Sequence, residues 1–400
     1  MRISSSTIFT NNVALLNQQQ TQLASTQQQI ASGMALTNAA VDPVAYTQAL
    51  SVSQSIAVNN QQSASGITAL NAVSLEESTL QSVTNLMQSV RTTVVSAGNG
   101  TLNASDRATM AATLSGQLQE LMGLANTTDS TGNYMFSGFQ SQTQPFVSTP
   151  AGVAYFGDNG QRKMQVGSGR QISVNDSGAD VFMRIKNGNG TFVTQAAASN
   201  TGSATISAGS VMDPAALTGN NYSINFATAA GATTYTVTNT TTGLPVVGQT
   251  AQPYVSGQAI SFDGMQMNIQ GTPAAGDSFT VAPSTNQSMF TTISNLITAL
   301  KSPTTGTALT NSLNTGLGNI DNALNNVLNT QTSLGLRINE INSLQATGNS
   351  VGLQLQQTLS TLQDTNVTQA ISNLDLQQTV LQAAQKSFVQ VANLSMFTYL

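Results

Sequence analysis

Apolar residues fall seven apart at both ends of this chain, in rows that one helix cannot hide by itself. Phe9, Leu16, Leu23 and Ile30 repeat at seven, with Val13 and Met34 in the companion row and Gln20 and Gln27 between them. A sustained seven-residue apolar repeat marks a helix that packs on another helix. Here glutamine fills half of one row, so the seam is narrow. The helix would be about 40 Å long, and a lone helix with such a stripe is marginal in water, because most helical stability comes from packing. At the other end Val367, Leu374, Leu381 and Phe388 repeat at seven, flanked by Ile371, Ala384, Val391 and Leu394. The tail Met396-Phe397-Thr398-Tyr399-Leu400 is apolar, whereas chain ends normally fray in solvent. The terminal helices are therefore expected to dock on each other and on neighbouring copies of the chain. The expected subunit-interface residues are Phe9, Val13, Leu16, Leu23, Ile30, Val367, Ile371, Leu374, Leu381, Phe388, Val391, Leu394 and Phe397.

Between the ends the texture changes twice. Ser32-Gly33 interrupts the first helical pattern, and Asp42-Pro43 offers a cap with proline at a first helical position. Val73, Leu80, Met87 and Val94 then repeat at seven, with Val83 and Val90 three residues after two of them, until Gly98-Asn99-Gly100. Asn103-Ala104-Ser105-Asp106 restarts a helix carrying Leu114, Leu118, Leu121 and Leu124. Late in the chain Leu324, Leu328, Leu334, Ile338, Ile341 and Leu344 predict an amphipathic helix, with breaks at Gly348 and Gly352. These inner stripes read as the core of an intramolecular bundle. From about 141 to 285 the chain is rich in Pro and Gly and alternates apolar and polar residues, as in Tyr222–Phe226 and Thr234–Thr238. Asn159-Gly160, Asn187-Gly188, Asn189-Gly190 and Asp263-Gly264 are tight-turn dipeptides.

The expected fold is α+β: a long α-helical coiled-coil or bundle shell formed by both chain ends, interrupted by an antiparallel β-rich insertion domain. Its parts are an N-terminal heptad helix (1–40), a first bundle segment (41–140), the β insertion (141–285), a second bundle segment (286–350) and a C-terminal heptad helix (351–400). At 400 residues, one hydrophobic core would not suffice.

Composition narrows the chemistry. Only 7% of residues are charged against a usual quarter, so copies of the chain repel each other weakly. The net charge of -5 is scattered, with no basic patch to neutralise phosphates, so no nucleic-acid partner is expected. No apolar run approaches the ~18 residues of a membrane span, and no amphipathic basic helix is present to lie on lipid, so no membrane partner is expected either. A cleaved Sec-type signal peptide is not expected, since the start lacks its apolar stretch. The chain has no Cys, His or Trp, which removes disulfides, the usual zinc, haem and copper sites, and His-based triads. No cofactor, metal or catalytic residue is expected.

The remaining candidates read as structure. Gly167-Ser168-Gly169 lacks the third glycine and the helix of a nucleotide loop. Glu76-Glu77 is the one adjacent acidic pair, and consecutive helical residues point about 100° apart, so it reads as solvated surface. Asp176, Asp180 and Asn187–Gly190 lack the alternating carboxylates of a calcium loop.

Several segments together resemble the bacterial flagellin superfamily and, within it, the hook–filament junction proteins. These are Met1-Arg2-Ile3-Ser4, Ile30–Gly33 through Asp42–Ala45, Gly132–Gly138 with Pro145-Phe146, Gly157–Arg162, Val174–Gly178 with Val181-Phe182, Ile260–Gly264 through Gly276–Thr280, Asp364–Ala370 and Ser395–Leu400. Where that superfamily commonly has two acids before the proline, Val41 stands in place of the first. Residues near 195–255 carry no motif of the resemblance. It implies a structural subunit of the flagellum that leaves the cell unfolded through the type III export channel, held beforehand by an export chaperone. Such a subunit stacks as a ring of its own copies between the first junction protein (hook-associated protein 1) and flagellin. A flagellin filament subunit, or an exported adhesin on a helical stalk, are the alternative readings.

Overall fold

The computed structural model describes residues 5–229, 231–302 and 306–393. Among the expected interface residues, Leu394 and Phe397 lie outside that range, as does the side chain of Val391. The described residues divide into two compact units, 5–65 with 343–393, and 66–342. Helices α2 (Pro43–Ala97) and α5 (Thr307–Gln363) contribute to both, and the architecture is the expected α+β class.

In the first unit, α1 (Ser5–Ser32) packs on α6 (Val367–Asn393). α1 ends where Gly33 turns to φ +70°, a conformation that costs glycine nothing. The break in the C-terminal chain lies directly against it. Thr365 N–H donates to Gly33 O at 2.9 Å, and Ala35 N–H donates to Gln363 O at 2.6 Å. α2 begins as expected, with the Asp42 carboxylate accepting from the Val44 and Ala45 amides at 3.0 Å. The expected breaks at Gly348 and Gly352 are absent: α5 runs through both to Gln363, so a C-terminal heptad helix starting at 351 is corrected to one starting at Val367. A helical glycine costs only about 1 kcal/mol, and here it makes room for a neighbour. Asn59 Nδ2 donates to Gly348 O at 3.0 Å and lies 2.9 Å from where a Cβ on Gly352 would sit.

In the second unit α2 and α5 run antiparallel, since Thr84 pairs with Gln331 and Arg91 with Asp321. Val73, Leu80, Met87 and Val94 are fully buried, as are Val83 and Val90. On α5 the buried row is Leu313, Ile320, Val327, Leu334 and Ile341. Leu328, expected in the stripe, is 47% exposed because it lies off that row. α3 (Ala104–Ala125) starts at a capping box of Asn103 and Asp106 and packs against α4 (Met289–Lys301).

Along the chain, the strands fall between α3 and α4. They are β1 (Phe146–Thr149), β2 (Gly152–Tyr155), β3 (Lys163–Gly167), β4 (Arg170–Ser173), β5 (Ile185–Lys186), β6 (Phe192–Ala196), β7 (Thr205–Ile206) and β8 (Ser210–Val211). Then follow β9 (Tyr222–Ala229), β10 (Ala232–Asn239), β11 (Leu244–Pro245), β12 (Gln252–Pro253), β13 (Ala259–Phe262), β14 (Met265–Gln270), β15 (Ser278–Pro283) and β16 (Asn286–Gln287). One sheet has the order β11-β10-β9-β15-β6, with β12 also on β10, and a second has β13-β14-β7, with β8 on β14. β1-β2, β3-β4 and β5-β16 form separate pairs, and every pairing is antiparallel.

Asp263-Gly264 makes the expected tight hairpin, with φ 43° and 75° between paired Phe262 and Met265. Asn159-Gly160 does not hold positive φ at either residue; its turn is fixed by Asp158 Oδ1, which accepts from the Gly160 amide at 2.7 Å. Tyr222, Ile224, Phe226, Val237, Met267, Ile269, Phe279 and Val281 fill the core between the two sheets.

Two devices fasten the β region to the helices. Phe146 stacks near Phe182, Phe290 and Tyr155 with ring centroids 5.3, 5.2 and 5.1 Å away. Four asparagines of α5 grip strand and loop backbone. Asn311 exchanges hydrogen bonds with Ala204 O and Ile206 N–H, and Asn319 accepts from Gly188 N–H at 3.0 Å. Asn322 donates to Lys186 O and Gly188 O, and Asn326 to Asp180 O and Val181 O, all within 2.9 Å. The reading of Glu76 as solvated surface is corrected: its side chain is fully buried, because it occupies the heptad position three residues after Val73. Asp176, expected merely near a turn, is buried and paired with Arg337 at 2.8 Å.

Candidate functional site

The α1–α6 pair is where the sequence placed the interface, and its geometry is that of a half-finished core. Phe9 and Phe388 meet with ring centroids 5.2 Å apart. Val13, Leu16, Leu23 and Ile30 on α1, and Leu374, Leu381 and Phe388 on α6, are half-buried. Phe9 is 53% exposed, Val367 47% and Ile371 46%. Among the described side chains, Thr26 and Ala370 are the buried ones on the two helices. Pairing therefore brings the two rows together without covering either.

The strict seven-residue rows missed apolar side chains on the flanks. Leu376, Val380 and Val389 on α6 and Leu15 on α1 are exposed. At 3.6 residues per turn, Ile371 and Val389 lie about 100° to one side of Ala370, whereas Val380 and Leu376 lie about 80° and 120° to the other. α6 thus carries an apolar arc far wider than one partner helix covers, and a helix apolar over most of its circumference is one buried on several sides. The signal was present in the sequence as apolar residues outside the repeat.

Electrostatics play a small part at this surface. α1 has no charged residue, and α6 has only Asp375 and Lys386, both exposed. Among the described residues, no three His, Cys, Asp or Glu side chains cluster as metal ligands, and no helix is long and apolar enough to cross a membrane.

Long terminal helices paired with each other, in a chain whose middle forms antiparallel sheets, define a shell protein of the flagellin type. Residues 3–141 match the family model of the bacterial flagellin N-terminal helical region. Residues 195–283 match that of the D2-like domain of flagellar hook-associated protein 1, a span in which residues 195–255 carried no recognised motif.

The chain belongs to the flagellar hook-associated protein 3 family. It is similar to flagellar hook-associated protein-3 from Legionella pneumophila, with a TM-score of 0.73 and 36% identity, over 78% of this chain and 98% of that one. FlgL of Xanthomonas campestris superimposes with a TM-score of 0.71 at 29% identity, over 77% of this chain and 99% of that one. Flagellar hook-associated protein 3 of Escherichia coli is 28% identical over 99% of both chains. That of Salmonella typhimurium is 37% identical over 185 residues, which span 46% of this chain and 58% of that protein.

Proposed function

We propose that this chain is a structural adaptor subunit of the bacterial flagellum, outside the cell, joining the hook region to the filament. It assembles as a ring of copies through its terminal helices after type III export. Its neighbours are copies of itself, hook-associated protein 1 on the hook side and flagellin on the filament side, with an export chaperone as the partner before export. It acts by binding rather than by catalysis. The observation that carries this reading is the α1–α6 pair, whose apolar rows stay half-covered within one chain. The 1–40 and C-terminal heptad segments then form the intersubunit layer, with Phe9, Val13, Leu16, Leu23, Ile30, Val367, Ile371, Leu374, Leu381, Phe388, Val391, Leu394 and Phe397 as its contacts.

Burying an apolar side chain contributes about 1.5–3 kcal/mol, and burying an unpaired carboxylate costs several. Leu381→Glu or Phe388→Glu should therefore leave residues 66–342 folded and abolish assembly. A motile strain carrying either change would overturn the reading. Deleting the protein should leave hooks that release flagellin monomers into the medium; unaltered filaments would equally count against it.

A further inference from the structure

Every residue of the segment Val174–Ser177, which leads out of β4, is buried. Loops normally run over the surface because buried peptide groups must find partners. Here Val174 N–H finds the backbone carbonyl of Arg162 at 2.9 Å, and the rest of the anchoring involves side chains. Asp176 N–H donates to Glu76 Oε1 on α2 at 3.1 Å. Asp176 Oδ1 accepts from Arg337 Nη2 on α5 at 2.8 Å and from Gln161 Nε2 at 2.7 Å. Asn175 Oδ1 accepts from Arg162 N–H at 2.7 Å. Gly178, which follows the loop, leaves no room for a side chain, since a Cβ there would meet Phe136 O at 2.7 Å.

The charged groups facing Glu76 are Asp176 from the loop, Arg337 from α5 and Arg162 from the segment before β3. The Arg170–Glu340 pair joins β4 to α5 nearby, with the arginine side chain largely exposed. Arg337 is committed to Asp176, which leaves Glu76 as a second buried carboxyl without an ion-pair partner of its own. Glu76 Oε2 and Asp176 Oδ2 are both buried acceptors with no donor. A buried carboxyl with no ion-pair partner of its own favours its neutral form, the more so beside a second carboxyl.

We propose that burial keeps Glu76 protonated, and that this neutral carboxyl, accepting the Asp176 amide, is a clasp pinning the buried 174–177 loop to α2 beside the Asp176–Arg337 link to α5. Desolvation first, and then the charge of Asp176, push the Glu76 carboxyl up from 4.5 to about 8, against the Asp176 amide hydrogen bond and the charges of Arg337 and Arg162. The folded chain holds this proton more tightly than the unfolded chain. The clasp's contribution is therefore fully present below pH 4.5, declines as pH rises, and is lost above about 8. Between those limits the loop's opening constant rises about tenfold per pH unit, and it levels off above.

The test is a carboxyl-carbon NMR titration of the full chain with labelled glutamate, together with pH-dependent hydrogen exchange of the Asn175–Ser177 amides, corrected for intrinsic rates. Glu76 should titrate near 8, and the exchange-derived opening constant should level off there. Glu76→Gln, a neutral isostere, should keep the loop closed with an opening constant independent of pH across the window. A Glu76 midpoint near 4.5, or the same pH profile in Glu76→Gln as in the native chain, would overturn the proposal. Should the variant fail to fold, the native titration alone decides.

Discussion

Two sets of heptad rows in this molecule look alike in sequence and differ in fate. On α2, Val73, Leu80, Met87 and Val94 are fully buried, and on α5 Ile320, Val327, Leu334 and Ile341 are too. On α1 and α6 the equivalent rows reach only half-burial, and Phe9 keeps 53% of its surface. The difference comes from the number of neighbours. α2 and α5 share a unit with α3, α4 and the strands, whereas α1 and α6 have chiefly each other. Apolar periodicity shows that a helix has a partner; what remains uncovered after folding is the surface on which the proposed assembly rests.

The comparison is broken most directly by truncating one aromatic in each unit. Phe182 sits fully buried against Phe136, Phe146 and Phe290. Phe182→Ala should cost about 3–5 kcal/mol of stability, read from denaturant unfolding of residues 66–342. Phe388→Ala removes a half-buried ring, so in the isolated chain it should cost less than about 1.5 kcal/mol. Equal losses would mean that the terminal pair is already a finished core, and the adaptor reading would lose its physical basis.

A smaller effect separates the flanks of α6 from its seam. Leu376 is 63% exposed and Val380 40%, so Leu376→Glu and Val380→Glu should change the isolated chain's stability by no more than about 0.5 kcal/mol. If these side chains are covered by neighbouring copies, each change should weaken assembly by roughly 100-fold, about 2.7 kcal/mol. Sedimentation of the assembled and free chain gives both numbers. Normal assembly of both variants would confine the interface to the Phe9 and Phe388 side of the pair.

Much of this was legible in the residues. The α+β division, the cap at Asp42, the restart at Asn103 and the Asp263-Gly264 hairpin follow from local chemistry, which a sequence states directly. Glu76 was legible as well: it occupies the companion position that Val83 and Val90 also occupy, and a charge in that row is a buried charge. The base rate for acidic pairs pointed the other way, and tertiary packing overrode it. Gly348 and Gly352 misled because glycine weakens a helix without stopping it, and only the approach of Asn59 shows their use. The asparagine grip of α5 had no local signature, since the amides of Asn311, Asn319, Asn322 and Asn326 answer backbone groups more than a hundred residues distant. The flanks of α6 escaped because a search at seven-residue spacing sees one stripe, and Leu376, Val380 and Val389 lie outside it.

The smallest expected effect is one of salt. α1 lacks charge, and α6 has one acid and one base, Asp375 and Lys386. An interface built from these helices therefore gains little from attraction between ions, and little is there for added salt to screen. Raising sodium chloride from about 0.05 to 0.5 M should change the assembly constant by less than about threefold. Sulfate, which is excluded from protein surfaces and strengthens apolar burial, should favour assembly. Assembly that dissolves steeply with sodium chloride would place the contacts on the charged faces of residues 66–342, where Arg91–Asp321 and Arg184–Asp180 lie half-exposed. The half-covered rows of α1 and α6 would then need another occupant.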